Sequence, residues 1–183
     1  MAEVTTRLVA MADVEELTAL AVENREFLAP YSPTMPDVMF THEGQAANVA
    51  EVLARHAAGA MLPHVIVDTD GTIAGRINLN SIIRGAAQCA SVGYWVAEDR
   101  NGRGVASAAV AHIVGYGFTR LTLHRVQGET LLHNAASQRV LERNGFERIG
   151  LAPKLLCIAG EWQDHIVYQR INDAWAEPDQ TLP

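Results

Sequence analysis

The stretch Arg100-Asn101-Gly102-Arg103-Gly104-Val105-Ala106 lies where a strand-like run, Ala90 to Ala97, gives way to an amphipathic helix. The first turn of a helix leaves backbone N–H groups without partners, and the helix dipole places positive potential behind them. Such a turn suits a phosphate or pyrophosphate. Glycine at 102 and 104 lets an anion approach the backbone, because no side chain stands in the way. A plain strand-to-helix turn would use the same residues, so the rest of the chain has to decide.

Two commoner phosphate cradles are excluded. No Gly-Lys-Ser or Gly-Lys-Thr follows the turn, so the lysine and metal-binding hydroxyl of a P-loop are missing. Gly102 and Gly104 are followed by Ser107, with no third glycine in dinucleotide register. Backbone amides and Arg103, without a metal, are the expected anion holders. Downstream, Asn134 and Ser137 stand three residues apart at the start of a second helix, on one side of its first turn.

The elements that must position these groups follow from the hydrophobic pattern. Val4 to Ala10 reads as a strand and Ala12 to Leu28 as one helix, with prolines 30, 33 and 36 forcing an irregular loop after it. A second helix is expected over about Glu43 to Ala58. Leu62 to Asp68 and Thr72 to Leu79 are strands joined at Asp70-Gly71. Ala90 to Ala97 is the next strand, followed by the glycine turn and its helix, then the strand Leu123 to Thr130. Asn134 to Asn144 is a short helix with Asn134 as N-cap and Gly145 past its end. Phe146 to Ile158 and Trp162 to Ile171 form a last hairpin. The order predicts an α/β fold with a central mixed, mostly antiparallel sheet flanked by helices. One domain over residues 1–173 and a polar, fraying tail over 174–183 are expected.

Composition narrows the function classes. The chain has 183 residues, 49% of them hydrophobic, and a formal net charge of -7. That balance argues against a general nucleic-acid binder and suits a cationic or amine-bearing acceptor. Cys89 and Cys157 have no metal spacing and form no disulfide framework, so buried or partly buried thiols in a reducing compartment are expected. No pair among the seven histidines has zinc-site spacing. No leader and no run of membrane-spanning length is visible, so a cytoplasmic protein with no membrane partner is expected.

At three places the residues resemble one family. Gly93-Tyr94-Trp95-Val96 followed by Asn101 to Ala106 looks like the acyl-CoA loop of the GNAT superfamily of N-acetyltransferases. Asn134-Ala135-Ala136-Ser137 through Asn144-Gly145-Phe146 is similar to the family's second motif. Leu28-Ala29-Pro30-Tyr31 and Gly160-Glu161-Trp162-Gln163-Asp164 through Tyr168 resemble the ribosomal-protein-alanine N-acetyltransferase branch. The likeness spans nearly all of residues 5–172.

The resemblance implies a splayed sheet with acetyl-CoA between the strands Ala90 to Ala97 and Leu123 to Thr130. Its pantetheine arm would pair with backbone near Trp95, Val96 and Ala97. Its pyrophosphate would rest on N–H groups of Gly102, Arg103, Gly104, Val105, Ala106 and Ser107. The Val96 N–H would face the charge that develops on the thioester oxygen. The family's usual Gln or Arg is replaced by Asn101, with Arg100 and Arg103 able to compensate. Asn134 is implied to touch the CoA arm as well as capping its helix. Ser137 is implied as donor to the departing thiolate, since Leu141 stands where some relatives have a tyrosine acid; departure without an enzymic acid stays open.

The amine must lose a proton before it attacks, because an α-amine has a pKa of about 8 and a lysine of about 10. Glu129, five residues before Asn134 where a related enzyme carries its glutamate, is the candidate base; His133 and solvent are rivals. Other branch members carry an acid at the position of Ser91. Tyr31 and Asn78 are the named acceptor-side residues, with Asn24, Phe27 and Arg76 as further wall candidates. The implied reaction is direct attack of a primary amine, of a protein N-terminus or a small molecule, on acetyl-CoA. A non-catalytic acyl-CoA sensor is the alternative from another class, and the branch implies a homodimer.

Overall fold

The computed structural model describes residues 3–177. Seven strands form one sheet in the order β1-β2-β3-β4-β5-β7-β6. They are β1 (Thr5–Leu8), β2 (Leu62–Val67), β3 (Ile73–Ile83), β4 (Cys89–Val96), β5 (Arg125–Leu131), β6 (Glu147–Ile158) and β7 (Glu161–Ile171). The helices are α1 (Val14–Glu23), α2 (Arg25–Leu28), α3 (His42–Ala57), α4 (Val105–Thr119) and α5 (Ala135–Arg143). The α/β class and the mostly antiparallel sheet match the expectation. The outer strand boundaries shift by a few residues, and β3 runs on to Ile83.

Every neighbouring pair is antiparallel except β4 with β5. That parallel pair is short: only Cys89–Ser91 lie against Arg125–Gln127. Beyond it the two strands separate, leaving the β5-facing edge of Val92 to Val96 without a strand partner. This gap is what the fold offers a ligand.

Side-chain alternation loads both faces of the sheet. Ile77 and Leu79 of β3 are fully buried in the larger core, with Val110, Ile113 and Val114 of α4 and Leu141 of α5. A smaller core joins Leu17 of α1 and Val49 of α3 to Val65 and Ile73. Arg76 and Asn78 alternate with Ile77 and Leu79, so they turn to the opposite face, where Arg76 reaches Asn48 of α3.

The helix expected over Ala12 to Leu28 is interrupted. A 3₁₀ turn covers Met11–Asp13, and Asn24 separates α1 from α2. The Asn24 amide donates to Leu20 O, and its Oδ1 accepts from Glu98 N at 2.8 Å. A side chain that binds backbone competes with helix continuation. The break tethers α1 to the end of β4 and carries Phe27, Leu28 and Tyr31 toward the gap. Past β7, Trp175 lies against the body of the domain, where its Nε1 donates to Thr122 O at 2.9 Å; most of the expected tail, residues 178–183, lies outside the described residues. Cys157 is exposed rather than buried, because β6 is an edge strand.

Candidate active site

Gly102 and Gly104 both adopt left-handed backbone, with φ of 76° and 84°. Glycine is the residue that takes this conformation without strain. Added Cβ atoms at either position would meet nothing within 4 Å, so the space over the turn is open. Gly104 is the N-cap of α4 and supplies no capping side chain, which leaves the first amides of the helix aimed at that space.

Above the turn lies a cavity of about 490 Å³, lined by Trp95, Val96, Asn101, Gly102, Gly104, Val105, Ala106, Ser107 and Asn134 among others. Arg139 and Arg143 of α5 add positive charge to its wall. Ala97 N–H donates to Ala74 O and is consumed by the sheet. N–H directions alternate along a strand, so Val96 N–H points the other way, into the gap between β4 and β5. Asn144 fixes the two helices that flank this cavity: its amide donates to Ser107 O at 3.1 Å and Val140 O at 2.8 Å.

A second cavity of about 250 Å³ meets the first at Tyr94, Trp95, Asn134 and Ser137. Its lining includes Tyr31, Arg76, Asn78, Glu129 and His165. Ser91 Oγ donates to Glu129 Oε2 at 2.6 Å, across the last residues where β4 and β5 still run together. Strand alternation and pairing put Ser91, Trp95, Arg76, Asn78 and Glu129 on one face of the sheet. Tyr94 lies on the other face, toward α5.

There the Tyr94 hydroxyl is 2.8 Å from Ser137 Oγ and also donates to Ser137 O at 3.3 Å. Burial pushes the Tyr94 pKa up to about 12, although the hydrogen bond to Ser137 works the other way. The phenol therefore keeps its proton at neutral pH. Asn134 Oδ1 accepts from Ser137 N at 3.0 Å, so its capping role is realised while it lines both cavities. An amine held on the Glu129 face and a leaving group held on the Ser137 face would meet across the gap, beside Val96 N–H.

The chain matches the family described as Acetyltransferase (GNAT) domain over residues 4–147. The chain belongs to the GNAT acetyltransferase family. Probable N-acetyltransferase YjcK of Bacillus subtilis is 36% identical over 163 residues, covering 88% of this chain and 90% of its own. The crystal structure of ribosomal-protein-S5-alanine acetyltransferase from Vibrio fischeri superposes with a TM-score of 0.91 at 29% identity, covering 97% of each chain. RimJ of Mycobacterium smegmatis, in complex with CoA-disulfide, gives a TM-score of 0.89 at 30% identity, covering 95% of this chain and 84% of that one.

This GNAT protein is an acetyl-CoA-dependent N-acetyltransferase, and its seven-stranded sheet is the fold of its relatives. Several expected contributors stand elsewhere than the sequence suggested. Asn101 lines the large cavity, but its amide donates to Ala97 O at 3.0 Å and so braces the turn. Arg100 does not stand free to replace it: its guanidinium pairs with Asp68 at 2.7 Å, Asp70 at 2.8 Å and Asp99 at 3.2 Å. Backbone N–H donation from Thr69, then Arg100, holds the Asp68 carboxyl below its usual range. Arg103 is exposed and, like Ala97, is not part of either cavity wall.

His133 is exposed, lies near Tyr31 with ring centroids 5.9 Å apart, and does not line the smaller cavity. His165, overlooked in the sequence, is buried in that cavity's wall. Its Nδ1 lies 2.9 Å from Gln163 O, a carbonyl that can only accept, so Nδ1 is the donor in this hydrogen bond. Only its alternation within the last strand could have signalled it. Tyr94 falls within a resembling motif, yet nothing in spacing pairs it with Ser137, because the pairing is made by the packing of α5 on β4. Among the described residues no group of three His, Cys, Asp or Glu could hold a metal ion.

Proposed function

We propose that this acetyltransferase transfers the acetyl group to the α-amine at the N-terminus of a protein, by direct attack. The observation that carries the reading is the meeting of the two cavities at Tyr94, Asn134 and Ser137, with Glu129 on one side and the glycine turn on the other. Names of relatives support the acceptor class: the Vibrio fischeri protein is a ribosomal-protein-S5-alanine acetyltransferase.

The open space over Gly102 and Gly104 and the unpaired α4 amides fit the pyrophosphate of acetyl-CoA, with the amides of residues 102–107 as its donors. Trp95 and Val96 border the pantetheine arm, and Asn134 faces it. Glu129, held by Ser91, accepts the ammonium proton directly or through water, which frees the nitrogen lone pair. Val96 N–H stabilises the oxygen of the thioester carbonyl as the C–N bond forms. Ser137 Oγ donates its proton to the sulfur as the C–S bond breaks, and the Tyr94 hydroxyl relays a replacement to it. The ammonium gives up two protons in all: the first passes to Glu129, and the second, lost from nitrogen as the intermediate collapses, returns through water to the Tyr94–Ser137 pair, which has given one to the thiol.

Cytoplasmic location and a homodimer complete the reading. The exposed apolar side chains Ile149, Leu151, Leu155, Leu156 and Trp162 on the edge hairpin support self-association. The test is a panel of amines with detection of released CoA: peptides with alanine or serine N-termini, a polyamine and an aminoglycoside. Turnover confined to peptides supports the reading. Turnover confined to the small amines contradicts it, and acetyl-CoA binding without any CoA release means a sensor.

A further inference from the structure

Among the described residues three buried side-chain atoms have no hydrogen-bond partner: Arg76 Nε, Asn78 Oδ1 and Thr130 Oγ1. All three residues line the acceptor cavity. By strand alternation Thr130 belongs to the α5 face, whereas Arg76 and Asn78 share the face of Glu129. Buried polar groups are ordinarily satisfied, so an unpaired donor and an unpaired acceptor on two residues of one cavity wall mark that wall as polar without a protein partner.

The charge is as informative as the missing bond. The Arg76 guanidinium donates through Nη1 to the neutral Asn48 Oδ1 at 2.6 Å and forms no ion pair among the described residues. Burial alone lowers its pKa, with no acidic neighbour opposing the shift. Partly buried charges are ordinarily paired, and here the counter-ion is absent from the protein. Glu129 is engaged with Ser91 farther along the sheet. The strand register sets the order: Arg76 opposite Trp95, Asn78 opposite Gly93, then Asn80 opposite the Ser91 that holds Glu129. The cavity thus has a cationic end, a neutral acceptor in the middle and an anionic end.

We propose that the acceptor carries a carboxylate near its amine, with the carboxylate at the Arg76 end of the cavity and the amine at the Glu129 end, past Asn78. This rests on the proposed N-acetyltransfer to an α-amine and specifies its acceptor. The carboxylate has two sources: the side chain of an acidic first residue of a peptide, or the α-carboxylate of a free amino acid.

Two matched pairs separate the sources, each compared at equal concentration of free amine. One pair is a tripeptide beginning with Asp against the same peptide beginning with Asn. The other is alanine against alaninamide. A charge-assisted hydrogen bond predicts a preference of about tenfold or more in kcat/KM for the carboxylate member of one pair. Arg76→Gln should reduce that preference to near unity, Arg76→Lys should retain part of it, and calorimetric affinity for acetyl-CoA should stay unchanged in both. Equal rates within both wild-type pairs overturn the proposal, as does a preference that survives Arg76→Gln. If peptides led by Ala or Ser turn over without such preference, only this inference fails; if no acceptor releases CoA, the reading beneath it fails as well.

Discussion

The Tyr94 hydroxyl sits 2.8 Å from Ser137 Oγ, joining the strand that borders the β4–β5 gap to the first turn of the helix beyond it. The pair lies at the junction of the two cavities and on the face opposite Glu129. Its position fits proton delivery to a departing thiolate, and the raised Tyr94 pKa keeps that proton available. Ser137→Ala should lower single-turnover acetyl transfer by roughly a hundredfold, and Tyr94→Phe by roughly tenfold. Acetyl-CoA affinity, measured by calorimetry, should barely move in either. Unchanged single-turnover rates would mean that the thiolate leaves without an enzymic acid.

Gly104→Val should weaken acetyl-CoA binding and cost some stability. The residue's φ of 84° is unfavourable for valine by about 1–2 kcal/mol, which corresponds to a Tm lower by about 2–8 °C in a chain of this size. No neighbour lies within 4 Å of the new Cβ, so the variant should still fold. Titration calorimetry and a melting curve check both halves. Full affinity in a folded variant would remove the turn from the binding site.

Ser91→Ala should reduce kcat/KM by a modest factor of about three to ten, because Glu129 loses the 2.6 Å hydrogen bond that orients it. Ser91→Thr keeps a donor and should recover part of the loss. A drop that Thr fails to recover, with acetyl-CoA binding intact, would point to packing rather than orientation.

How much of this was legible in the sequence depended on the range of the interaction involved. Strands, helices and the glycine turn are local patterns, and their order suffices for the sheet. The break at Asn24 was hidden because it depends on Glu98, far away in the chain. The engagement of Arg100 is hidden for the same reason: its carboxylate partners Asp68 and Asp70 lie on the β2–β3 turn, which only the folded sheet brings alongside. Glu129, Ser137 and Asn134 could be picked out by motif. Their partners Ser91 and Tyr94 could not, since strand register and helix packing decide who faces whom. Arg76 and Asn78 were visible as wall candidates, but their unmet hydrogen bonds exist only in three dimensions.

Buried His64 of β2, with β3 between it and the gap-lining β4, predicts acid sensitivity away from the site. Its Nδ1 bonds Thr6 Oγ1 at 2.9 Å, and burial, then His112 and His56, pushes its pKa down to about 4. An unfolded histidine titrates at about 6.5, so between these values the unfolded chain binds the proton and the native one does not. This contribution is complete above about pH 6.5 and shrinks as pH falls toward about 4, by up to a few kcal/mol. Urea midpoints across that window should fall more steeply for the wild type than for His64→Gln. Parallel lines would contradict it.

The central claim is that Glu129 takes the proton from the attacking amine, and the pH profile of kcat/KM for Glu129→Gln tests it most directly. The amide keeps the side chain's size and can still meet Ser91, but it accepts no ammonium proton. The account predicts a deficit that is largest near neutral pH, of roughly a hundredfold or more, and narrows as pH rises and more acceptor is already free amine. Acetyl-CoA affinity should remain that of the wild type. Superimposable profiles for the two proteins would contradict the account and leave His165 or solvent to take the proton.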